Sequence, residues 1–514
     1  MKPAVENLIF YQIYPKSFCD SNGDGVGDIQ GIISKIDYIK KLGVNAVWLT
    51  PFFKSPNVDN GYDISDYKDV QSEIGTLKEV EKMIVRFHEN GIKVIFDLVA
   101  NHTSTQHEWF LQSKKSKDNA YRDYYIWRKT PPNDWQSAFG GSAWEYDKQT
   151  GEYYLHSYAV EQADLNWDNP KVREEMQAVV DFWLEKGVDG FRCDVLDQIS
   201  KDWENGINGS GPRLHEYIRQ LFGRERTEGI FTVGECWSAN MQNMALFCLP
   251  ERKELTTAFA FSHLCVDDGR FYPHKPPLEK VCRRIADWQI STQNTGVIPT
   301  VFFENHDQPR CVSRFGDDKK FRYQSATALA SMLLTHRGVP FLMQGQEIGA
   351  TNSRYDDIRY FNDVESLNYY QMNEGKLSKK DRIEAINFGG RDNARYLMPW
   401  EERTQKGWIA PYSRQSEINV KTDLQSKNSV FSFYQKLIEL RKNQPCLTKG
   451  RYNLLALTPR YYAFERALGN EKMVIVFNFE KESEVLNVGG RLILSNYPSV
   501  GEILKPYQIA IYKK

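Results

Sequence analysis

The sequence lacks an excess of either charge and lacks a long block of one sign. Its 66 basic and 67 acidic residues leave a formal net charge of −1. Nucleic acids and anionic membrane surfaces attract proteins through clustered basic residues, so this balance argues against both as main partners. A small neutral ligand fits the composition better.

The beginning of the chain lacks an apolar run. Met1 to Ile9 holds one lysine and an early proline, and has neither the roughly 7–15 apolar residues of a secretory signal nor the about 20 of a membrane-spanning helix. We therefore expect a cytoplasmic protein that does not associate with membranes, as a monomer or a weak oligomer.

Clustered cysteines are also missing. The eight cysteines are scattered, and no two of them form a CxxC pair. This spacing suggests neither a disulfide framework nor a zinc cage, so free thiols are expected. The sequence shows no internal repeat and no low-complexity segment.

Short apolar runs alternate with amphipathic segments that end at glycines such as Gly43, Gly91 and Gly187. Strand–helix units in repetition predict a parallel sheet. Eight strands are predicted: Leu8–Tyr14, Ala46–Leu49, Lys93–Val99, Val188–Val195, Phe231–Val233, Thr257–Phe261, Thr300–Phe303 and Val339–Met343. Eight strands suffice to close an α/β fold into a (β/α)8 TIM barrel, although the pattern alone also allows an open doubly wound sheet.

The alternation is interrupted once and then replaced by a different pattern. Residues 104–169 are too many for an ordinary connection after strand 3, so they predict an inserted subdomain over the top face. Short β-type runs beyond residue 444 predict an all-β domain. The expected organisation is a barrel of 1–103 and 170–444, a subdomain of 104–169 and a C-terminal β-sandwich of 445–514.

Four predicted strands run into carboxylic acids or histidines. Each such residue alone is most simply a helix cap or a turn former. In a TIM barrel, however, the C-terminal ends of all strands meet at one face, where active sites lie. The residues at these strand ends are His102, Asp194, Glu235, His306 and Asp307.

Carboxylates at one rim suit the hydrolysis of glycosides. A nucleophilic carboxylate and a protonated carboxylic acid must flank the bond, about 5–5.5 Å apart when configuration is retained. Arg192 points to the same side as Asp194, so we expect it to keep Asp194 ionised. Burial and neighbouring negative charge are expected to raise the pKa of Glu235, so that it holds a proton.

Four motifs resemble the signature regions of the α-amylase family of glycoside hydrolases, within it the oligo-1,6-glucosidase and α-glucosidase group. They are DLVANH at Asp97–His102, GFRCDV at Gly190–Val195, VGE at Val233–Glu235 and FENHD at Phe303–Asp307. The likeness runs nearly end to end. It implies that Asp194 is the nucleophile, Glu235 the acid/base and Asp307 a third acid that grips sugar hydroxyls, with no cofactor needed for catalysis.

The same resemblance implies a closed pocket that accepts one glucose unit and releases it from the non-reducing end. The DNGYDISDY segment is similar to the pocket wall of exo-acting members, and Arg395 of RDNAR is similar to the arginine that pairs with the wall aspartate. The residues implied in substrate binding are Asp59, Tyr62, His102, Tyr158, Arg192, His306 and Arg395.

Several positions bear on specificity. Valine directly after the nucleophile, at Val195, resembles the α-1,6-cleaving enzymes, although an ordinary β-branched strand residue is an equally economical reading. Cys236 and Trp237 are atypical for the group and are expected to reshape the leaving-group side. The QADLNW and YLMPWE segments, at 162–167 and 396–401, also depart from the group.

The segment DSNGDGVGD places alternating oxygen ligands between glycines, as loops that wrap a hard cation do. The ligands are Asp20, Asn22, Asp24, Val26 and Asp28. An EF-hand is rejected because Gly31 occupies the twelfth position. Some members of the resembled family bind Ca²⁺ in this loop, so we predict a structural, non-catalytic Ca²⁺; the alternative is a turn rich in Asx and glycine that needs no metal.

The leading interpretation is a retaining exo-acting α-glucosidase that favours short isomalto-oligosaccharides. A sucrose isomerase or transglucosylase shares every catalytic group and differs in whether water or a sugar takes the glucosyl unit. A trehalose-6-phosphate hydrolase should show a basic cluster at the pocket mouth, and none is identified. A non-catalytic, transporter-associated homologue would carry a membrane anchor; this sequence shows no such segment and keeps all three acids, so we do not expect that function.

Overall fold

The computed structural model describes residues 5–266, 269–403, 406–484 and 488–514. Its main sheet has eight parallel strands in the order β6-β5-β4-β3-β2-β1-β8-β7. The strands are β1 (Phe10–Ile13), β2 (Ala46–Leu49), β3 (Lys93–Val99), β4 (Gly190–Asp194), β5 (Phe231–Glu235), β6 (Thr257–Phe259), β7 (Thr300–Val301) and β8 (Val339–Met343). Threonine hydroxyls join the two outer strands: Thr257 donates to the Ile298 carbonyl at 2.7 Å and Thr300 to the Ala258 carbonyl at 3.2 Å. The predicted barrel is confirmed.

Phenylalanine side chains fill the barrel interior. Phe10 on β1 stacks on Phe341 of β8, with ring centroids 4.6 Å apart, and meets Phe231 of β5 at 4.7 Å. Phe259 of β6 lies 4.9 Å from Phe341. These rings pack the barrel interior, so the chemistry is expected at the rim, where the strands end.

Helices surround the strands and begin and end where the sequence supplies caps. Thr76 and Glu79 form a reciprocal capping box, and Asn169 caps a helix whose first residue is Pro170. The outer helices are Ile29–Ser34, Ile36–Leu42, Leu77–Glu89, Pro170–Glu185, Leu214–Phe222, Met244–Cys248, Leu278–Thr295, Arg322–Thr335 and Val430–Asn443. Val364–Met372 and Lys379–Gly389 lie in the connection after β8.

The insertion after β3 is closed at its base by a two-stranded antiparallel pair. His102–Ser104 pairs with Gln162–Asp164, so that Asp164 lies opposite His102 and Gln162 opposite Ser104. Between them lies a three-stranded antiparallel sheet of Trp127–Arg128, Trp144–Asp147 and Glu152–Leu155. The pairing brings the QADLNW segment beside the end of a barrel strand.

The C-terminal domain is a five-stranded antiparallel sheet in the order β9-β10-β11-β13-β12. Its strands are β9 (Arg451–Leu457), β10 (Tyr461–Leu468), β11 (Glu471–Asn478), β12 (Arg491–Ser495) and β13 (Ile509–Lys513). The described second layer is only a pair, Ser483–Glu484 with Ile503–Leu504, so the expected sandwich is strongly uneven. The other face packs on the barrel, where buried Arg466 donates to the Thr335 carbonyl at 2.7 Å.

None of the helices in the described ranges is long and apolar enough to cross a membrane. Seven cysteines in those ranges are free thiols: Cys19, Cys193, Cys236, Cys248, Cys282, Cys311 and Cys446.

Candidate active site

A cavity of about 260 Å³ opens at the C-terminal ends of the barrel strands. Seven of the ten predicted catalytic and substrate-binding residues line it: Asp59, Tyr62, His102, Tyr158, Asp194, Glu235 and Asp307. Arg192, His306 and Arg395 are at most 1% exposed and contact the lining residues from behind. The structure thus brings the predicted set together.

One buried guanidinium holds the two carboxylates at the centre of the pocket. Arg192 Nη1 lies 2.6 Å from Asp194 Oδ1 and 2.8 Å from Asp97 Oδ1, while Nη2 donates to Glu235 Oε2. Charge-assisted hydrogen bonds from a planar fork fix both distance and orientation. Asp194 and Glu235 are therefore held as a close, rigid pair.

Burial dominates the protonation of this pair. It raises the pKa of Asp194 to about 7, against the attraction of Arg192, and raises the pKa of Glu235 to about 7 in the same way, helped by the charge of Asp194. Arg192 does act to lower the pKa of Asp194, as expected, but desolvation outweighs this single guanidinium, which three carboxylates share. Near neutral pH the pair holds about one proton.

Asp307 behaves in the opposite way. Burial acts to raise its pKa, but His306 and two arginines hold that pKa well below the usual range. Arg395 Nη2 is 2.7 Å from Asp307 Oδ1, and His306 Nε2 is 3.0 Å from Oδ2. Asp307 is therefore an ionised acceptor at neutral pH, suited to hold hydroxyl groups.

The wall aspartate pairs with a different arginine from the one expected. Arg391 Nη2 lies 3.1 Å from Asp59 Oδ1, whereas Arg395 donates to Asp307 and, through Nε, to the His306 carbonyl at 2.9 Å. The predicted Arg395–Asp59 pair is wrong. Both arginines belong to RDNAR, where Arg391 precedes the short helix Asp392–Arg395, so the motif identified the right segment and the sequence could not say which end faces the wall.

Tyr62 and His306 form the polar floor beside Asp97. The Tyr62 hydroxyl is 3.0 Å from Asp97 Oδ2 and 2.6 Å from His306 Nε2, and the two rings stack at 5.2 Å. The amide nitrogen of Gln12 lies 2.8 Å from His306 Nδ1. Burial lowers the pKa of His306. Sequence reasoning missed Gln12 because it is an interior residue of β1 without any motif of its own.

The inserted subdomain supplies an aromatic side wall. Tyr158 lies 5.3 Å from His102 and 5.5 Å from Phe139 between ring centroids. The Phe139 carbonyl accepts a hydrogen bond of 2.9 Å from Asn368 of the helix Val364–Met372. This contact joins the insertion to the connection after β8 and closes one side of the pocket.

Trp237 stands on the open side, next to the acid pair. Its indole Nε1 donates to Glu235 Oε1 at 3.0 Å, and its ring stacks on Phe261 at 4.0 Å with an interplanar angle of 9°. The side chain remains solvent-accessible, with Trp237 46% exposed. The atypical segment after Glu235 thus reaches the site, as its position indicated.

Val195 is not a strand residue. Strand β4 ends at Asp194, and Val195 has φ 33° and ψ 46°, in the left-handed region. A β-branched residue there carries strain of about 1–3 kcal/mol and is found mainly at functional sites. The side chain lines the pocket, and the backbone N–H points to Glu235 Oε2 at 3.4 Å.

The glycine-rich loop has the donor chemistry for a hard cation. Its side-chain oxygens, however, accept backbone N–H groups of the same loop: Asp20 from Gly23 at 2.7 Å and Gly25 at 2.8 Å, and Asp24 from Val26 at 2.8 Å. Asp28 caps the next helix. No group of three or more His, Cys, Asp or Glu side chains in the described ranges is placed to hold a metal. The Ca²⁺ site stays a prediction.

A close pair of buried carboxyl groups at the C-terminal face of an eight-stranded barrel is the arrangement that glycoside hydrolases use. Comparison with known proteins identifies the family. The model of the α-amylase catalytic domain matches residues 12–450. The chain belongs to the α-amylase family.

Three similar proteins show the range of activities around this chain. An oligo-1,6-glucosidase of Parageobacillus thermoglucosidasius is 44% identical over 99% of this chain and 98% of its own. A trehalose-6-phosphate hydrolase of Bacillus subtilis (strain 168) is 41% identical over 93% of this chain and 90% of its own. The crystal structure of a trehalulose synthase from Pseudomonas mesoacidophila MX-45 superposes with a TM-score of 0.95 at 36% identity, covering 99% of each chain.

Proposed function

We propose that this protein is a retaining, exo-acting α-glucosidase that releases glucose from the non-reducing end of short α-glucosides. The main support for the proposal is that Asp194 and Glu235 both contact the guanidinium of Arg192. Retention requires carboxyl groups only about 5–5.5 Å apart, whereas inversion needs room for a water between them. Two carboxylates on one guanidinium suit the short separation.

In the proposed reaction, Asp194 attacks the anomeric carbon as the bond to the leaving oxygen breaks. Glu235 gives its proton to that oxygen, because it faces the open side next to Trp237. Glu235 then takes a proton from water as the water oxygen attacks the anomeric carbon. This second step breaks the ester to Asp194 and restores both groups.

The exo-acting character follows from the closed end of the pocket. The Asp59–Arg391 pair forms a polar wall there, and both residues are buried. Ionised Asp307 is available to hold hydroxyl groups of the bound glucose, and Tyr62 lines the same end. A chain that continued past this glucose would meet the wall.

The charge of the lining favours a neutral leaving group. Only Arg270 and Arg391 supply positive charge among the described lining residues, and Arg270 is already paired with Glu365 at 2.7 Å. The lining carboxylates are Asp59, Asp194, Glu235, Asp307 and Glu365. Five acids against two arginines disfavour a phosphorylated sugar, so we infer that trehalose 6-phosphate is a poor substrate despite the similarity to hydrolases that act on it.

We infer a preference for α-1,6 linkages, as in isomaltose. The similarity to oligo-1,6-glucosidases and the position of Val195 in the pocket support it. The natural substrate proposed is therefore a small neutral isomalto-oligosaccharide.

The test is a substrate panel of isomaltose, maltose, sucrose, trehalose and trehalose 6-phosphate, with products followed by NMR. We expect isomaltose to be cleaved best and α-glucose to form first. Initial β-glucose would rule out retention, isomeric disaccharides from sucrose would make the enzyme an isomerase, and preferred cleavage of trehalose 6-phosphate would refute the charge argument.

A further inference from the structure

Gln162, the first residue of the QADLNW segment, has no role in the reaction described above. It is fully buried, in the short strand that closes the base of the insertion. Its amide orientation is fixed, since the backbone N–H of Ala159 donates to Oε1 at 2.9 Å. Nε2 therefore faces two pocket residues, Asp59 Oδ2 at 3.2 Å and His102 Nε2 at 3.1 Å.

These two contacts determine where the proton of His102 lies. A primary amide nitrogen has two hydrogens to donate and accepts none. One hydrogen meets the carboxylate of Asp59, and the other must meet a lone pair on His102 Nε2. The ring proton then lies on Nδ1, and the Tyr62 carbonyl provides a backbone acceptor for the ring. The amide nitrogen of Asn101 lies 3.3 Å from Nδ1, a longer contact than the 3.1 Å between Gln162 Nε2 and ring Nε2.

If His102 were protonated on both nitrogens, its Nε2–H would face the N–H of Gln162, and the two donors would repel each other. The nearby carboxylates do not compensate, because each already has a cation: Asp164 has Lys201 Nζ at 2.8 Å, and Asp59 has Arg391. Tyr158 adds only a ring face. Burial, together with the charge of Lys201, lowers the pKa of His102 to about 4 against the attraction of Asp164.

We propose that Gln162 is a positioning residue that holds His102 as the neutral tautomer protonated on Nδ1 and orients Asp59 with its second N–H. The assignment of the tautomer depends only on the contacts of Gln162 with Ala159, Asp59 and His102. Its kinetic consequence rests on the proposed function, in which the pocket that Asp59 and His102 line holds the released glucose. In this tautomer Nδ1 is a donor, Nε2 is an acceptor and the ring as a whole is uncharged. Because the ring stays neutral, the pocket does not gain a positive charge as pH falls.

The direct test is NMR of the protein labelled with ¹⁵N in its histidine rings, with the His102 signals assigned by their loss in His102→Gln. We expect a neutral ring at pH 6 with Nε2 unprotonated. Gln162→Glu exchanges the donor for an acceptor of nearly the same shape, so Nε2 should become protonated. An adjacent opposite charge should then raise the pKa of His102 by about 1–3 pH units.

Gln106→Glu is the matched control, because it adds the same charge on the exposed surface four residues from His102; the pKa of His102 should not move in it. A cationic ring or a proton on Nε2 in the unmodified protein overturns the proposal, and so does an unmoved pKa in Gln162→Glu or an equal shift in the control. If Gln162→Glu fails to fold, Gln162→Met removes both donors, and the single tautomer should give way to a mixture; an unchanged tautomer overturns the proposal.

Kinetics provide a second readout. Gln162→Glu should raise KM for isomaltose more than it lowers kcat, and KM should depend on pH over the range in which His102 titrates. A structural defect alone would give no such pH dependence, and its absence refutes the positioning role. Absence of glucosidase activity in the unmodified protein would refute the proposed function and leave the NMR result standing.

Discussion

Trp237→Phe should move the alkaline limb of the pH–activity profile. The substitution keeps the stack on Phe261 and removes the hydrogen bond from Nε1 to Glu235 Oε1. That bond stabilises the ionised carboxylate, so its loss raises the pKa of Glu235 above about 7. Because Glu235 acts in its protonated form, activity should persist to higher pH.

The size of the shift follows from the exposure of the indole. Hydrogen bonds to charged groups contribute about 1.5–3 kcal/mol, and we take the lower end because Trp237 is 46% exposed. About 1.5 kcal/mol corresponds to about one pH unit. At a pH two units above the alkaline pKa of the unmodified protein, each protein keeps only a fraction of its maximal activity. That fraction should be roughly tenfold larger in the variant than in the unmodified protein.

The assay is kcat/KM for isomaltose between pH 5 and about 10, because the sugar alcohol that leaves from this substrate needs the proton of Glu235. Phe261→Leu is the control, since it removes the stacking partner and keeps the N–H donor; its alkaline limb should stay where it is. A limb that does not move in Trp237→Phe, or moves equally in the control, would show that the hydrogen bond does not set the acidity of Glu235.

Three further outcomes follow from the same geometry. Asp194→Asn should lower turnover by several orders of magnitude in a protein that still folds; near-normal turnover would exclude it as nucleophile. Val195→Ala should raise the ratio of kcat/KM for maltose to that for isomaltose by about tenfold, with Val195→Thr separating size from polarity; an unchanged ratio in both would place selectivity elsewhere. EDTA should lower the melting temperature if the loop binds Ca²⁺, and Asp24→Ala should abolish that sensitivity; an EDTA-insensitive melting curve would remove the ion.

The acid limb gives an independent check on the carboxyl pair. Asp194 acts in its ionised form, and burial raises its pKa to about 7, so activity should fall as pH drops below neutral. The two limbs together predict a narrow bell centred near pH 7. A broad plateau reaching down to pH 5 would mean that Arg192 keeps Asp194 ionised after all.

The sequence by itself predicted eight parallel strands and the strand ends that carry the chemistry, and the resemblance of its motifs to a known family favoured a closed barrel over an open sheet. Apolar runs, amphipathic segments and glycine stops are local signals, and each records which face of a strand or helix is buried. Once the strands close, topology alone carries residues that end different strands to one rim, so Asp194, Glu235 and Asp307 could be placed together without coordinates.

Only the tertiary structure decided which partners these groups have and what charge they carry. The sequence could not distinguish Arg391 from Arg395, because the choice depends on how one short helix sits against a wall formed more than three hundred positions earlier. Nor could it assign the pKa of Asp194, which depends on how completely the pocket excludes water. Val195 shows the same limit, since its residue type favours a strand and the packed site holds its backbone in the left-handed region.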